Sequence, residues 1–451
     1  MPSTAAASGR LYAEHINPQW VRLLDLMQMN VSYRRCSGAV LNTADGRPIL
    51  DFLSGYCVHN IGHNHPSVAA ALKQELDREG PAMVQSHAPA LAGELAQRLL
   101  DRAGGALNRA FFCSSGSEGV EAAIKFSRAA TGRAAILYAE HGFHGLTCGA
   151  LSLMSDRFWS EGFGPLLPGT EPVPFGHLDR LAERLATRNF AAYIAEPIQS
   201  EAGIRLPAPE YWKEAQRLCR RYGTLLVLDE VQTGLHRTGP FLAAHRYGVD
   251  PDLVVLAKAL SGGLIPVGAV LTTDRVSDAV YSSLQRSLVH TSTFSENALA
   301  MRAGLATLDV LDNERLGEQA VRLGGLLRRQ LKDALAPFEM VKEVRGEGLL
   351  CGIEFTAPQR WRLRAAFEAF RRVHPAMFGQ VLVMRLFRDH GILTQVCGNN
   401  FMVLKAAPPL VIDHTHIAAF VRGVTAVVEE AHHSAGFWSE PLGMVQRLLH
   451  S

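Results

Sequence analysis

The chain reads as an α/β protein built on a mostly parallel sheet with helices on both faces, accompanied by a smaller α+β lobe. Three observations predict this. Between about residues 60 and 325, short apolar runs alternate with segments of helical periodicity, the pattern of a covered parallel sheet. From about residue 326 that alternation gives way to a strand pair, a helical stretch and another strand. Finally, 47% of the 451 residues are hydrophobic and 20% charged, enough apolar material for a large core.

The first observation rests on four runs. "RAFFCSS" (109–115), "AAYIAEP" (191–197), "TLLVLDEV" (224–231) and "LVVLAKA" (253–259) read as buried strands. "SEGVEAAIKFSRAA" (117–130) and "PEYWKEAQRLCRRYG" (209–223) read as intervening helices. In the tail, "MVKEVRGEGLLCGIEF" (340–355) predicts a strand pair with a glycine turn. "FEAFRRVHPAMFGQVLVMRLFRDHG" (367–391) predicts helix, and "NNFMVLKAAPPLVI" (399–412) a strand ended by Pro408 and Pro409. "AVLNTADGRPILDFLSG" (39–55) has hairpin character and is expected to join the tail. The predicted organisation is therefore an N-terminal segment 1–60 belonging to the small lobe, a large domain 61–325 and a C-terminal small domain 326–451.

Bulk properties exclude several classes. A net charge of +2 argues against a nucleic-acid or other polyanion partner. The seven scattered cysteines form no CxxC pair, so neither a disulfide framework nor a zinc site is predicted. No uncharged run approaches the ~18 apolar residues of a membrane span. The N-terminus lacks the basic and apolar regions of a signal peptide. A cytoplasmic protein is expected.

Ligands of such sheets bind beyond the carboxyl ends of the strands, and three features sit there. In "FFCSSGSEGVEAAIKF" (111–126) a strand runs into Ser114, Ser115, Gly116 and Ser117, where a helix opens. Free N–H groups and small hydroxyls suit a phosphate; an ordinary serine cap is the commoner reading of this stretch alone. In "VLDEVQTG" (227–234), Asp229 and Glu230 end an apolar strand. A buried carboxylate there needs a partner, either a structural cation or the protonated ring nitrogen of a cofactor. Lys258 ends the next apolar run, 29 residues after Asp229, about one strand–helix–strand unit on. A lysine there is a solvated, snorkelling side chain or a desolvated nucleophile towards aldehydes. Phosphate cradle, aspartate and lysine together fit pyridoxal 5′-phosphate (PLP), which needs a phosphate anchor, an amine for its aldehyde and an anion facing its pyridinium nitrogen.

Eight segments extend this into a resemblance: "DFLSGYCVHNIGHNHP" (51–66), "FFCSSGSEGVEAAIKFSR" (111–128), "GFHGLTCGALSL" (142–153), "AEPIQSEAG" (195–203), "LDEVQTGLHRTG" (228–239), "PDLVVLAKALSGG" (251–263), "HTSTFSENALA" (290–300) and "VRGEGLLCGIEF" (344–355). In this order they resemble the class III, fold-type I aminotransferases of the ornithine, acetylornithine, 4-aminobutyrate and putrescine branch, over about residues 35–430. The resemblance implies a seven-stranded large-domain sheet, PLP bound to Lys258 as a Schiff base, and amino transfer between an amine or amino acid and a 2-oxo acid. Lys258 would also shuttle the substrate proton. Asp229 would pair with the pyridine nitrogen, Gln232 would reach the ring hydroxyl, and Phe143 and Val231 would flank the ring. Ser115, Gly116 and Ser117 would hold the phosphate. Ser292 and Thr293 would complete that phosphate site from a neighbouring subunit, making a homodimer the functional unit. Tyr56 and Glu201 would line the substrate entrance. Read from the residues, His63 and His65 stand two apart as a metal site might, but without further ligands they read as a structural turn. His144 reads as a loop-positioning residue rather than a base, because Lys258 fills that role.

Two positions depart from the family pattern. Leu146 follows "FHG", where ornithine- and 4-aminobutyrate-type members carry a basic residue. Lys405 stands in "LKAAPPL", where members using 2-oxoglutarate carry arginine. Lysine attracts a carboxylate but lacks arginine's two-pronged grip. An apolar or uncharged distal part of the substrate near Leu146 is therefore expected, with Lys405 keeping one carboxylate-binding point. The Phe- and Met-rich stretch 367–387 either shapes the entrance or packs in the lobe core. The opening "NPQWVRLLDLMQMNVSY" (17–33) and "TSTFSEN" look similar to aminotransferases of hopanoid and other lipid-linked pathways. Other PLP reactions (aminomutase, phospho-lyase, racemase, decarboxylase) use the same lysine and aspartate, and a non-catalytic PLP-fold binding protein is the reading from another class.

Overall fold

A computed structural model describes residues 4–84, 86–433 and 436–440. Its centre is a seven-stranded sheet in the order Arg109–Cys113, Gly268–Thr272, Leu253–Leu256, Leu225–Asp229, Phe190–Ala195, Ala135–Ala139 and Thr170–Val173. The last five run parallel to one another. Gly268–Thr272 is antiparallel to both its neighbours.

Period-two geometry sorts the side chains of these strands onto two faces. Val227, Leu253, Val255 and Val270 pack with Val120, Ala123 and Ile124 of the helix Gly116–Thr131. Leu226, Leu228, Val254, Leu256 and Leu271 face the opposite core, with Ala300, Met301 and Leu308 of the helix Ala298–Asn313. Burial on both faces explains why these strands read as unbroken apolar runs.

The tail forms a second sheet, in which the hairpin Val341–Glu347/Leu350–Phe355 pairs with Asn400–Ala406 and then Gln395–Cys397. The N-terminal strands Tyr33–Ser37, Val40–Thr43 and Pro48–Asp51 make a third sheet, closed by Ile392–Leu393 parallel to Pro48–Asp51. The early hairpin is thus joined to the tail through Ile392–Leu393.

One helical expectation needs correction. The stretch 367–391 holds two helices, Trp361–Val373 and Met377–His390. Pro375 offers no N–H to the helix ladder, and His374 before it is extended, with φ −161° and ψ 138°. Phe367 and Phe378 pack against each other, and Phe378 also meets Phe355 and Phe437. The stretch belongs to the lobe core; none of it lines the cavity described below. Among the described residues no helix is long and apolar enough to cross a membrane.

Candidate active site

Lys258 lies just past the end of the strand Leu253–Leu256. It opens a short 3-10 turn with φ +43°, a left-handed backbone that a lysine rarely adopts. Asp229 ends the neighbouring parallel strand. Both line one cavity of about 410 Å³. Across it, Ser115, Gly116 and Ser117 mark the start of the helix Gly116–Thr131. The Ser115 hydroxyl accepts the Glu118 N–H (3.2 Å), and the Glu118 carboxylate accepts the Ser114 N–H (2.6 Å). The cap expected from the sequence is therefore real. Gly116 and Ser117 lie in the first turn, where an α-helix supplies no carbonyl four residues back for their N–H groups.

Phe143, His144 and Val231 complete the cavity wall. The Asp229 carboxylate accepts the Val231 N–H (3.1 Å) and meets His144 Nδ1 at 2.8 Å. His144 is buried and titrates above the ordinary histidine range. Burial opposes its charge, but the hydrogen bond and charge of Asp229, with the charge of Glu196, outweigh burial. Glu196 was missed by the residue reading, although it stands in the quoted "AEPIQSEAG". It accepts the Phe143 N–H (3.0 Å) and the Ser200 N–H (3.0 Å), so it fixes the loop that carries Phe143. Burial pushes its carboxyl up to about 7.

The arrangement fits PLP on its own geometry. A carboxylate and an amine stand on adjacent strand ends, and a helix start faces them across a cavity of cofactor size. Two glycines let the segments of this wall pack closely: a Cβ on Gly116 would press within 3.0 Å of the Val231 methyls, and one on Gly145 would overlap the Ser117 side chain. Phe143 and Val231, on opposite loops, supply apolar walls.

The other expected residues lie outside this cavity. Gln232 is buried with its amide 3.5 Å from Glu201. Glu201 forms an ion pair with Lys405, which is fully buried and whose ammonium lies 5.3 Å from the centre of the Tyr56 ring. The ammonium expected to keep a carboxylate-binding point is thus engaged by an internal carboxylate. Tyr56 sits in a run of left-handed residues, Ser54 to Cys57. Leu146 is solvent-exposed, and its N–H reaches the Ser117 hydroxyl at 3.3 Å. Ser292 and Thr293 line a separate recess of about 860 Å³. His63 pairs with Asp51 at 2.7 Å, and His65 caps the helix Pro66–Asp77, so both are occupied structurally. Sequence reasoning also passed over Trp159 and Asn399, which meet beside Phe143.

The family profile described as aminotransferase class-III matches residues 25–428. Aminotransferase PigE from Serratia sp. (strain ATCC 39006) is 36% identical over 450 residues, covering 93% of this chain and 53% of that protein; the chain spans about half that relative's length. Among solved structures, ornithine aminotransferase from Toxoplasma gondii superposes with a TM-score of 0.79 at 31% identity, over 89% of this chain and 92% of that one. An (S)-enantioselective omega-transaminase from Thermomicrobium roseum reaches 0.84 at 30% identity, over 96% and 100%. An amine transaminase from an uncultivated Pseudomonas species, solved with PLP bound, gives 0.79 at 30%, over 89% and 95%. By sequence and by fold, the chain belongs to the class-III aminotransferases, a PLP-dependent family.

Proposed function

We propose that the chain moves an amino group from a primary amine or amino acid to a 2-oxo acid by a ping-pong cycle, and that one substrate has an apolar distal part. The observation that carries this is the single cavity shared by Lys258, Asp229 and the helix start at Ser115–Ser117. PLP, when bound, supplies an aldehyde that captures amines and a ring that accepts electrons from the substrate carbon. The chain's own residues do the rest. Ser115, Gly116 and Ser117 hold the phosphate through N–H groups and hydroxyls. Asp229, steadied by His144 and the Val231 N–H, keeps a proton on the pyridine nitrogen. Phe143 and Val231 would flank the ring. Lys258 would hold the cofactor through Nζ, and its amine, lining the cavity, would be the group placed to take up and give back a proton there.

The substrate reading rests on charge. Leu146 offers no cation, and Lys405 is taken by Glu201, so a second carboxylate finds no free partner there. Tyr56 and Glu201 border the entrance. A homodimer is the proposed working unit, with Ser292 and Thr293 of one copy reaching the phosphate of the other. Their exposed apolar surroundings, Leu288 and Phe294, support this. Seven unpaired cysteines support a reducing, cytoplasmic setting.

A half-reaction tests the proposal. Mixing PLP-loaded protein with hexylamine alone should convert the cofactor stoichiometrically to its amine form, read by visible absorbance, and pyruvate should restore it. Lys258→Ala should lower the conversion rate by several orders of magnitude. Loss of carbon dioxide or phosphate from an amino-acid substrate, with no amine form left behind, would favour a decarboxylase or phospho-lyase on the same scaffold.

A further inference from the structure

Beside the cavity an apolar track leads outward. The Phe143 ring lines the cavity, and the Trp159 indole meets it edge-on with centroids 5.3 Å apart and planes at 79°. Phe158 meets Trp159 in the same way at 4.9 Å and 83°, and is 71% exposed. Three rings thus run from the cavity to solvent.

The middle ring is held from the small lobe. Its indole N–H donates to Asn399 Oδ1 at 2.7 Å. Asn399 in turn donates through Nδ2 to the His141 carbonyl (2.9 Å) and through its N–H to the Glu201 carbonyl (2.9 Å). Gly398 donates its N–H to Glu201 Oε2 at 2.8 Å. A Cβ on Gly398 would come within 3.2 Å of the indole and 3.3 Å of Glu201 Oε2. The turn 398–399 therefore links the aromatic track to the Glu201–Lys405 pair. With its N–H satisfied by Asn399, the indole has no polar group left to offer a ligand.

We infer that Trp159 is a specificity-determining residue, whose indole extends the Phe143 wall and seats the apolar end of a straight-chain or aryl-alkyl amine. The inference rests on the reading of the Lys258 cavity as the amino-transfer site. Leu146 offers no cation and Lys405 is engaged by Glu201, so neither position gives a substrate carboxylate a free partner, and a chain ending in methyl or phenyl loses nothing there.

The test uses PLP-loaded protein and two ligand series: n-alkyl amines for turnover with pyruvate, and unreactive n-alkyl alcohols, propanol to heptanol, for calorimetric binding. In the wild type, affinity for the alcohols and kcat/KM for the amines should rise by about fourfold per methylene as the chain reaches the track. Trp159→Ala should flatten both slopes, chiefly through KM. Trp159→Phe keeps a ring and should keep most of the slope. Should Trp159→Ala retain the wild-type slope for alcohols, or lower all chain lengths equally, the inference falls. The same holds if Trp159→Phe loses the slope as fully as alanine does. If the wild type binds the alcohols with the expected slope yet converts no amine, the inference survives and the amino-transfer reading fails.

Discussion

Lys405 is fully buried, and its ammonium has one carboxylate partner, Glu201. Burial alone would raise the Glu201 carboxyl, but the charge and hydrogen bond of Lys405, with the Gly398 N–H, bring it below its ordinary value. Burial alone would lower the Lys405 ammonium, and the charge of Glu201 more than reverses this. The signs define a window. A carboxylate with a depressed pKa stabilises the fold above its ordinary value, and this is lost as pH falls through the folded value. An ammonium with a raised pKa stabilises below its ordinary value, and this is lost as pH rises through the folded one. The pair thus contributes fully between roughly pH 5 and 10. Glu201→Gln leaves a buried ammonium without its counter-charge and should cost about 3–5 kcal/mol at pH 7, measured by urea unfolding. The gap to wild type should narrow as pH drops below 4; a gap constant from pH 7 to 3 would refute the pairing. Lys258 and Asp229 were legible in the sequence because a charged residue closing an apolar run has few reasons to be there. The fate of Lys405 was not legible, since its partner lies 204 residues away in the chain.

Elements explain how those residues meet. The loop after the strand Ala135–Ala139 crosses the start of the helix Gly116–Thr131, and Gly145 is the point of closest approach. Its φ is +117°, and an added Cβ would lie 2.8 Å from the Ser117 Cβ and 3.0 Å from its Cα. Gly145→Ala must both strain the backbone and push the loop off Ser117. PLP affinity, titrated into cofactor-free protein, should fall by at least about tenfold (~1.4 kcal/mol), with the circular-dichroism spectrum unchanged. Gly132 is a matched control: it has φ +68° with nothing near its missing Cβ, so Gly132→Ala carries the backbone strain alone and should leave affinity unaltered. Unchanged affinity in Gly145→Ala would mean that this loop does not shape the cradle. The strands around this site were readable because burial on both faces leaves continuous apolar runs. The antiparallel strand Gly268–Thr272 was not, because direction within a sheet leaves no mark on composition. The break at Pro375 was written in the sequence, but the apolar periodicity on either side masked it.

At the scale of the molecule, one feature is left without a covering layer. Leu284 and Leu288 are 90% and 80% exposed, and Phe294 is 61% exposed. Leu288, Met83 and Val84 border the 860 Å³ recess that holds Ser292 and Thr293. So many large apolar side chains clustered on one surface mark an interaction site rather than a finished exterior. A second copy related by a two-fold axis would cover this surface in both chains at once. It would also carry each copy's Ser292 and Thr293 towards the other's helix start at Ser115–Ser117, something a single chain does not do, since these residues line different cavities. Assembly and cofactor retention should therefore be linked. The wild type should sediment at twice the 49.2 kDa chain mass. Leu288→Asp places a charge in the covered apolar layer and should shift the protein towards monomer at micromolar concentration. If Ser292 and Thr293 complete the phosphate site as proposed, the monomer fraction should bind PLP at least about tenfold more weakly. Raising protein concentration should restore both dimer and cofactor together, as mass action requires. A wild type that is monomeric yet retains PLP fully would separate the two properties and remove Ser292 and Thr293 from the phosphate site.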